Sequence, residues 1–433
     1  MKRLVFLLAL VLAAPAHAAP TPLARVDTDS VVTLSGDRAL FTRVRGRVLT
    51  VYSIPVTGGT PKREFSYTGV AGANRIKAVL SASAQRVAIA VLMERDQEWI
   101  RTQPFTGVLG APWTPLGPRA RIPPGPATLS VQVDGDRVFA VEVRDRFGNL
   151  GATAHDPAPH DVPFYGPLDA ASAVFAGDLV AYATAAPEDE DAPMGDGQRV
   201  AIKNWRTGAE HAVMDFPEPI TSIALKPDGT TLATGLGSVF VWAPGSAPRR
   251  LTSRGPTKAR FAGAGVVLGD DHGPRLNGRH IGAPTESAGD LAADDRHVLW
   301  TANGCLLAAD VTDTDTGPHG PGPCPRSEIA ETSSSQPLAR TLKVRLRCVY
   351  APGRCRGTVR LMGTTRRFAI AAGRTGTVHL PLTAAAFRAL RRRLAREPDD
   401  PRDTTIGVPY RARTDDGAEI PGYEPTLSID RPG

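Results

Sequence analysis

The sequence predicts an all-β protein, and three observations support that prediction. Glycine and proline are frequent, at 43 and 39 of the 433 residues, which is typical of a turn-rich β architecture rather than a helical bundle. A short turn followed by an apolar strand recurs through the first three quarters of the chain. Segments near the C-terminus alternate apolar and basic residues, with the period of two that half-buried strands show. Hydrophobic residues make up 42% and charged residues 22% of the chain, which excludes wholesale disorder.

Residues 1–18 are predicted to be a signal peptide. Lys2 and Arg3 precede the apolar run 4–14, and the Ala-His-Ala sequence at 16–18 supplies the small residues that signal peptidase requires. The apolar run is too short for a permanent transmembrane helix, which needs about 20 residues. We therefore expect cleavage near Ala18 and a secreted or cell-envelope protein without a transmembrane segment.

Residues 20–330 contain seven copies of a pattern in which a small turn leads directly into an apolar or β-branched strand. Examples are S-G-D-R-A-L-F-T from Ser35, D-G-D-R-V-F-A-V from Asp134 and P-D-G-T-T-L-A-T from Pro227. The seven strands begin at Ala39, Val87, Val138, Leu179, Leu232, Val266 and Val298. Their mean spacing of about 43 residues lies within the ~40–45-residue period of a four-stranded propeller blade. The sequence therefore predicts a seven-bladed β-propeller.

Each unit continues into a second hairpin, and the hairpins carry a family resemblance. A strand with an aromatic residue near its end leads into a glycine-containing turn and a basic strand, as in V-F-V-W-A-P-G-S-A-P-R-R-L-T at 239–252. In this respect the sequence resembles WD-repeat-like and TolB-like β-propellers of exported bacterial proteins, most fully at 223–235 (I-A-L-K-P-D-G-T-T-L-A-T-G). It lacks the Trp-Asp dipeptide and the Gly-His pair of strict WD repeats. The resemblance implies a fold and not an activity, because these families share architecture rather than chemistry.

Four cysteines lie late in the chain. An even number in an exported protein indicates two disulfides, and the sequence neighbours favour Cys305–Cys324 and Cys348–Cys355 among the three possible pairings. A structural zinc site is the alternative, and the absence of a C-x-x-C pair counts against it. We expect segment 22–26 to close the ring as the outer strand of the seventh unit, with Cys305–Cys324 latching that unit.

Residues 331–337, with their run of serines, are predicted to be a linker. The alternating segments of residues 338–433 then predict a small antiparallel β-sandwich, which resembles immunoglobulin-like accessory domains of exported bacterial proteins. Cys348–Cys355 is expected to hold the hairpin between its first two strands. Thr383 is expected to cap a helix over 384–396, with Phe387, Leu390 and Leu394 facing inward.

Charge divides the chain in two. Residues 338–433 contain 19 arginines and lysines against 9 acidic residues, a net charge of +10, whereas residues 1–337 carry a net charge of −3. Because the arginine fork matches phosphate and carboxylate oxygens, we predict a surface that meets an acidic glycopolymer or anionic lipid. The strand arginines in this surface are Arg345, Arg347, Arg356, Arg360, Arg366 and Arg367. The candidate contacts on the helix are Arg388, Arg391, Arg392, Arg393 and Arg396. A solvated, solubilising face is the alternative, and export argues against nucleic acid as the partner.

No catalytic, cofactor or metal site is predicted. The chain lacks G-x-S-x-G, H-E-x-x-H and G-x-x-x-x-G-K-[ST] motifs. Two histidine–aspartate pairs at 155–161 and the acidic residues at 188–196 offer metal ligands, but solvated loops are the favoured interpretation. Five tryptophans are candidates for sugar stacking, although packing between blades is favoured for them. They are Trp99, Trp113, Trp205, Trp242 and Trp300.

These observations predict an exported, non-catalytic binding or scaffolding propeller that presents its blade loops to a protein or cell-envelope partner. Two alternatives stay open. A propeller hydrolase or lyase would need convergent acid and base groups at the central channel. A sugar-binding lectin would need tryptophans exposed at one face of the ring.

Overall fold

The computed structural model describes residues 20–430 with gaps. The residues outside the description within that range are 28–29, 72, 74, 96–97, 118–119, 122–126, 144–149, 157, 167–172, 185–198, 253–257, 271–272, 282–288, 303, 313–323, 325–326, 334, 352, 396–404, 418–419 and 421–424. The described residues contain 37 strands and one helix. The all-β prediction is therefore confirmed. Among these residues, no helix has the length and apolar character needed to cross a membrane.

The first part of the chain builds seven antiparallel sheets within the described residues. Strand β1 (Thr21–Arg25) precedes them. The first sheet contains β2 (Val32–Ser35), β3 (Arg38–Arg45), β4 (Val48–Pro55) and β5 (Lys62–Thr68). The second contains β6 (Arg75–Ala82), β7 (Val87–Arg95), β8 (Glu98–Gly107), β9 (Thr114–Pro115) and β10 (Ala120–Arg121). The third contains β11 (Ala127–Asp134), β12 (Arg137–Val143), β13 (Leu150–Asp156) and β14 (Ala158–Gly166).

Four more sheets follow in chain order. The fourth contains β15 (Val174–Ala176), β16 (Leu179–Thr184), β17 (Arg199–Asn204) and β18 (Glu210–Asp215). The fifth contains β19 (Ile220–Leu225), β20 (Thr231–Gly235), β21 (Val239–Trp242) and β22 (Arg249–Thr252). The sixth contains β23 (Lys258–Ala262), β24 (Gly265–Asp270), β25 (Gly273–Leu276) and β26 (Arg279–His280). The seventh contains β27 (Leu291–Ala293), β28 (His297–Ala302), β29 (Cys305–Asp310) and, as its outer strand, β1.

The sheets are arranged as a closed ring. Their first strands contact one another in the order β2, β6, β11, β15, β19, β23 and β27, and β27 contacts β2 again. Strand β1 pairs antiparallel with β29, so that Arg25 lies opposite Cys305. The Cys305–Cys324 disulfide stands beside this pairing, with Cys324 Sγ 3.5 Å from the Ala24 carbonyl oxygen. The N-terminal strand thus covers the last sheet's edge, which would otherwise expose unpaired backbone groups.

The repeated turns join the first and second strands of the sheets, and they also fasten each sheet to the next. Five of the seven neighbouring pairs are linked at these turns by hydrogen bonds. The links, donor first, are Ser35 Oγ to the Ser83 carbonyl, Ser83 Oγ to the Gly135 carbonyl, Gly177 N to the Asp134 carboxylate, Lys226 Nζ to the Gly263 carbonyl and Gly263 N to the Asp294 carbonyl. The repeated motif therefore has two roles, since it reverses the chain and holds one end of the ring together.

The C-terminal domain consists of two sheets. One contains β30 (Glu328–Glu331), β32 (Thr341–Tyr350) and β35 (Thr375–Pro381). The other contains β31 (Gln336–Pro337), β33 (Arg354–Leu361), β34 (Thr364–Ala371), β36 (Thr405–Thr414) and β37 (Thr426–Asp430), in the order β31-β37-β36-β33-β34. Buried side chains from both sheets, such as Val344 and Val359, form one apolar core. The pair β31–β37 is parallel, and the other described pairs are antiparallel.

Three details differ from the sequence predictions. Residues 328–331 and 336–337 form strands of the sandwich, so the boundary lies earlier than the predicted linker, because Ile329 is buried in the sandwich core. Strands β32 and β33 belong to different sheets, so Cys348–Cys355 joins the two sheets rather than the strands of a hairpin. Helix α1 (Ala384–Leu394) begins after Thr383, whose side chain accepts a hydrogen bond from Ala386 N. It ends two residues before the predicted end.

Candidate functional site

The larger sheet of the sandwich carries arginines along its outer side. On β33 the arginines occupy even-numbered positions and are exposed, while the odd-numbered Cys355, Val359 and Leu361 are buried. The strand pairing extends this face sideways, because Arg360 lies opposite Arg411, and Thr358 lies opposite both Arg413 and Arg367. We name the resulting surface the arginine face. It consists of Arg354, Arg356, Arg360, Arg367, Arg411 and Arg413, all of them exposed.

The spacing of the arginine face suits a chain of negative charges. Residues two apart on one strand are separated by about 7 Å, and neighbouring strands lie about 4.8 Å apart. From Arg354 to Arg360 the face is therefore about 20 Å long. Arg360 and Arg411 are like charges directly opposite each other, an arrangement that destabilises a sheet by about 0.2–1 kcal/mol per pair. An anion bound across the two strands would relieve this repulsion.

Asp416, which follows β36, forms hydrogen bonds at the junction between the domains. The Asp416 carboxylate accepts hydrogen bonds from Ser327 Oγ at 2.5 Å and Thr414 Oγ1 at 2.6 Å. The Asp416 carbonyl accepts a third hydrogen bond, at 3.0 Å, from the guanidinium of Arg25 in the closing strand of the ring. The carboxylate thus fixes the chain around Asp416, and the Asp416 carbonyl links the sandwich to the propeller.

The structure separates arginines that the sequence analysis grouped together. Arg345 and Arg347 are exposed on β32, which belongs to the smaller sheet. They therefore lie on the opposite side of the sandwich from the arginine face. Arg366 is exposed on the edge strand β34, but it lies opposite the buried Val359, so it does not share the side on which Arg367 lies. Only Arg356, Arg360 and Arg367 of the predicted strand arginines belong to the arginine face.

The helix arginines form a second exposed group. Arg388, Arg391, Arg392 and Arg393 are exposed, whereas Ala386, Leu390 and Leu394 are buried. Phe387, predicted to face inward, is half-buried and lies beneath the Arg340 guanidinium at 5.6 Å. Three of the arginines stand in the last turn, where a cation is favoured by the helix dipole. Arg396 lies outside the described residues.

Sequence reasoning missed Arg354, Arg411 and Arg413. Arg411 and Arg413 are distant from β33 in the sequence, and only strand pairing brings them beside it. A signal was available for these two, because the segment from Thr405 to Thr414 alternates as regularly as the other strands. Which strand would be its neighbour was not encoded in that alternation.

A second polar feature lies among the first strands of four neighbouring sheets of the ring. A cavity of about 320 Å³ opens at the end where the repeated turns lie, and its lining includes Gly36, Ser83, Arg260 and Asp294. These residues come from the first, second, sixth and seventh sheets, so the cavity lies close to the axis of the ring. It has a guanidinium in its wall.

The tryptophans and the candidate metal-binding segments that the sequence offered are mostly packed between sheets or placed within strands. Trp205, Trp242 and Trp300 are buried in the apolar clusters between neighbouring sheets. Trp113 is half-buried and stacks on Phe65 with a centroid distance of 4.9 Å, while the side chain of Trp99 lies outside the description. Residues 155–156 and 158–161 lie in the paired strands β13 and β14 rather than in a loop, and residues 188–196 are not described. The described residues contain no group of three or more metal-binding side chains.

Comparisons with known proteins give fold-level similarities. No protein-family model matches the chain, and no curated protein matches it in sequence. Among solved structures, the acylaminoacyl peptidase of Pyrococcus horikoshii is 12% identical with a TM-score of 0.44, covering 74% of this chain and 59% of the peptidase. TolB from Acinetobacter baumannii is 13% identical with a TM-score of 0.32, covering 66% of this chain and 55% of TolB. Kluyveromyces lactis Hsv2p is 11% identical with a TM-score of 0.39, covering 64% and 89% respectively. This chain thus spans about three fifths of the peptidase's length.

Proposed function

We propose that the protein is an exported, non-catalytic binding protein that contacts an acidic glycopolymer of the cell envelope through its arginine face. The observation that carries the proposal is the pairing of Arg360 with Arg411 on neighbouring strands, within a face of six exposed arginines. Like charges are unfavourable at such positions, and a polyanion converts this cost into attraction. The propeller then acts as a rigid scaffold that presents its loops to a second partner, a protein or another envelope component.

The composition of the face favours a glycopolymer over a lipid surface. Proteins that bind in the membrane interface insert large apolar side chains beside their basic residues. Among the described residues of the sandwich, Met362 is the one large hydrophobic residue that is markedly exposed, at 38%. A flat array of guanidinium groups without apolar anchors fits a linear, hydrated chain of carboxylates or sulfates.

Binding to polygalacturonate, a linear carboxylated polysaccharide, tests the proposal on the full mature chain. Arg360→Gln/Arg411→Gln should weaken binding about tenfold, because two exposed ion pairs contribute up to about 1 kcal/mol each. Arg345→Gln/Arg347→Gln is the matched control, since it removes the same charge from the opposite sheet. It should change the affinity less than about threefold, the effect expected of exposed charges outside the contact. Neutral dextran should not bind.

Salt dependence and vesicles complete the test. The wild-type affinity should fall steeply between 0.1 M and 1 M salt, where the Debye length shrinks from about 10 Å to about 3 Å. Equal losses in the two double variants would mean that net charge alone is responsible and would reject the arginine face. Absence of binding at low salt would leave a solvated surface as the explanation. Tighter binding to phosphatidylglycerol vesicles than to polygalacturonate would assign the surface to lipid instead.

A further inference from the structure

The cavity near the axis of the ring is lined by Arg260, whose guanidinium makes few hydrogen bonds within the described residues. Arg260 lies on β23 and donates one hydrogen bond, from Nη1 to the carbonyl of its neighbour Ala259 at 2.8 Å. Within the described residues it has no carboxylate within ion-pair distance. An arginine has five N–H donors, and the other four make no hydrogen bond within the described residues.

Asp290, whose charge acts on Arg260, is already engaged. The Asp290 carboxylate lies 2.5 Å from Lys258 Nζ and accepts a hydrogen bond from Val32 N at 2.7 Å. It stabilises the charge of Arg260 only from a distance. Burial lowers the pKa of the Arg260 guanidinium, and the charge of Asp290 opposes that shift. Burying a cation is costly unless an anion lies beside it.

Charge and shape indicate which anion would fit. Lys258 and Asp290 form an ion pair and balance each other, so Arg260 supplies the positive charge for a ligand, and a monoanion matches that single charge better than a phosphate dianion does. The carboxylate of Asp294, also in the lining, is held by the amides of Arg296 and His297 at 2.7 Å each. The rest of the lining is mostly small and apolar, including Leu34, Ala82, Ala84, Ala292 and Ala293.

We propose that this cavity binds a small organic monocarboxylate, with its carboxylate on the fork of Arg260 and its apolar part against the surrounding alanines. The fork donates two parallel hydrogen bonds to a carboxylate. The Thr33 hydroxyl, which has no hydrogen-bond partner in the described structure, stands in the same lining. This site is independent of the arginine face, because it lies in the propeller.

Isobutyrate is a suitable probe, with isobutyramide as a ligand of similar shape but no charge. Calorimetric titration of the mature chain should give saturable binding of isobutyrate at least about tenfold tighter than of isobutyramide, as expected for charge-assisted hydrogen bonds. Arg260→Gln should weaken isobutyrate binding at least about tenfold. Arg279→Gln is the matched control, because Arg279 is exposed on the outer strand of the same sheet. The affinity of this variant for isobutyrate should stay within about twofold of wild type. Arg260→Lys, which keeps the charge but loses the fork, should be intermediate.

Several results would overturn the proposal. These are equal affinities for isobutyrate and isobutyramide, an equal loss in Arg279→Gln, and tighter binding of inorganic phosphate than of isobutyrate. The ligand comparison uses the wild-type chain, so it remains decisive if Arg260→Gln fails to fold. Because isobutyrate carries a single charge and polygalacturonate carries many, isobutyrate binding should depend on salt much less than polygalacturonate binding does. A salt dependence as steep as that of the polymer would also count against it.

Discussion

The propeller and the sandwich are both built mainly from antiparallel strands and each contains one disulfide, but they use arginine differently. In the propeller, arginines contact specific partners. Arg199 pairs with Asp215 at 2.6 Å, Arg38 donates to Ser53 Oγ at 2.8 Å, and the Arg206 guanidinium lies 4.2 Å from the Trp205 ring centroid. In the sandwich, arginines are placed beside one another, as Arg360 and Arg411 are.

The difference follows from how many sides of a sheet are covered. Each propeller sheet packs against two neighbours, so a charged side chain between sheets needs a partner. The larger sheet of the sandwich packs on one side only, and its other side tolerates charge at the cost of weak, solvent-screened repulsion. An arginine of the ring that has no ion-pair partner among the described residues, such as Arg260, is therefore more informative about function than an exposed arginine of the sandwich.

The largest expected effect comes from Trp300→Ala. Trp300 is fully buried between the sixth and seventh sheets, and its removal leaves a cavity that costs about 3–5 kcal/mol. Calorimetry should show the propeller transition at lower temperature, while the sandwich transition moves little. Trp300→Phe should be milder. An equal shift of both transitions would show that the two domains unfold as one unit.

Removal of each disulfide should likewise destabilise mainly the domain that contains it. The cysteines are 19 residues apart in the propeller and 7 apart in the sandwich. Loop-closure entropy then predicts losses of roughly 3 kcal/mol for Cys305→Ala/Cys324→Ala and roughly 2.5 kcal/mol for Cys348→Ala/Cys355→Ala. Denaturant unfolding of the two double variants measures both values. A larger loss in the sandwich would contradict the entropic explanation.

The helix cap gives a smaller effect that is confined to the sandwich. Thr383→Ala removes the acceptor for Ala386 N and should cost about 1 kcal/mol. Thr383→Ser keeps that acceptor and should be close to wild type. Urea unfolding of the sandwich transition provides the measurement, and an equal loss in Thr383→Ser would show that the methyl group rather than the hydroxyl matters.

The smallest effect has the opposite sign. Arg360→Gln/Arg411→Gln should stabilise the sandwich by a few tenths of a kcal/mol to about 1 kcal/mol at low salt, because it removes a cross-strand repulsion. The gain should disappear near 1 M salt. Arg345→Gln/Arg347→Gln, on the opposite sheet, is the comparison. Destabilisation in the first variant would mean that these arginines make contacts within the fold that outweigh their mutual repulsion.

The local features of this protein were accessible from its sequence. Alternation predicted the strands of both domains, and the seven strand starts fall on the second strands of the seven sheets, at or one residue after their first residue. Segment 22–26 was correctly expected at the edge of the last sheet, and the favoured cysteine pairs are the ones that the structure joins. Turn chemistry and a period of two depend on neighbouring residues, so they can be read without a fold.

Only the tertiary structure decided which of these features meet. Alternation places Arg345 and Arg356 alike toward solvent, and the assignment of their strands to different sheets puts them on opposite sides of the sandwich. Strand pairing likewise brings Arg411 beside Arg360, and the assignment of strands to sheets places Cys348 and Cys355 in different sheets. Arg260 carries no motif, and its significance arises because residues from four sheets line a cavity beside it. Strand partners and enclosed volumes depend on contacts between distant segments, which the local pattern of a single sequence does not specify.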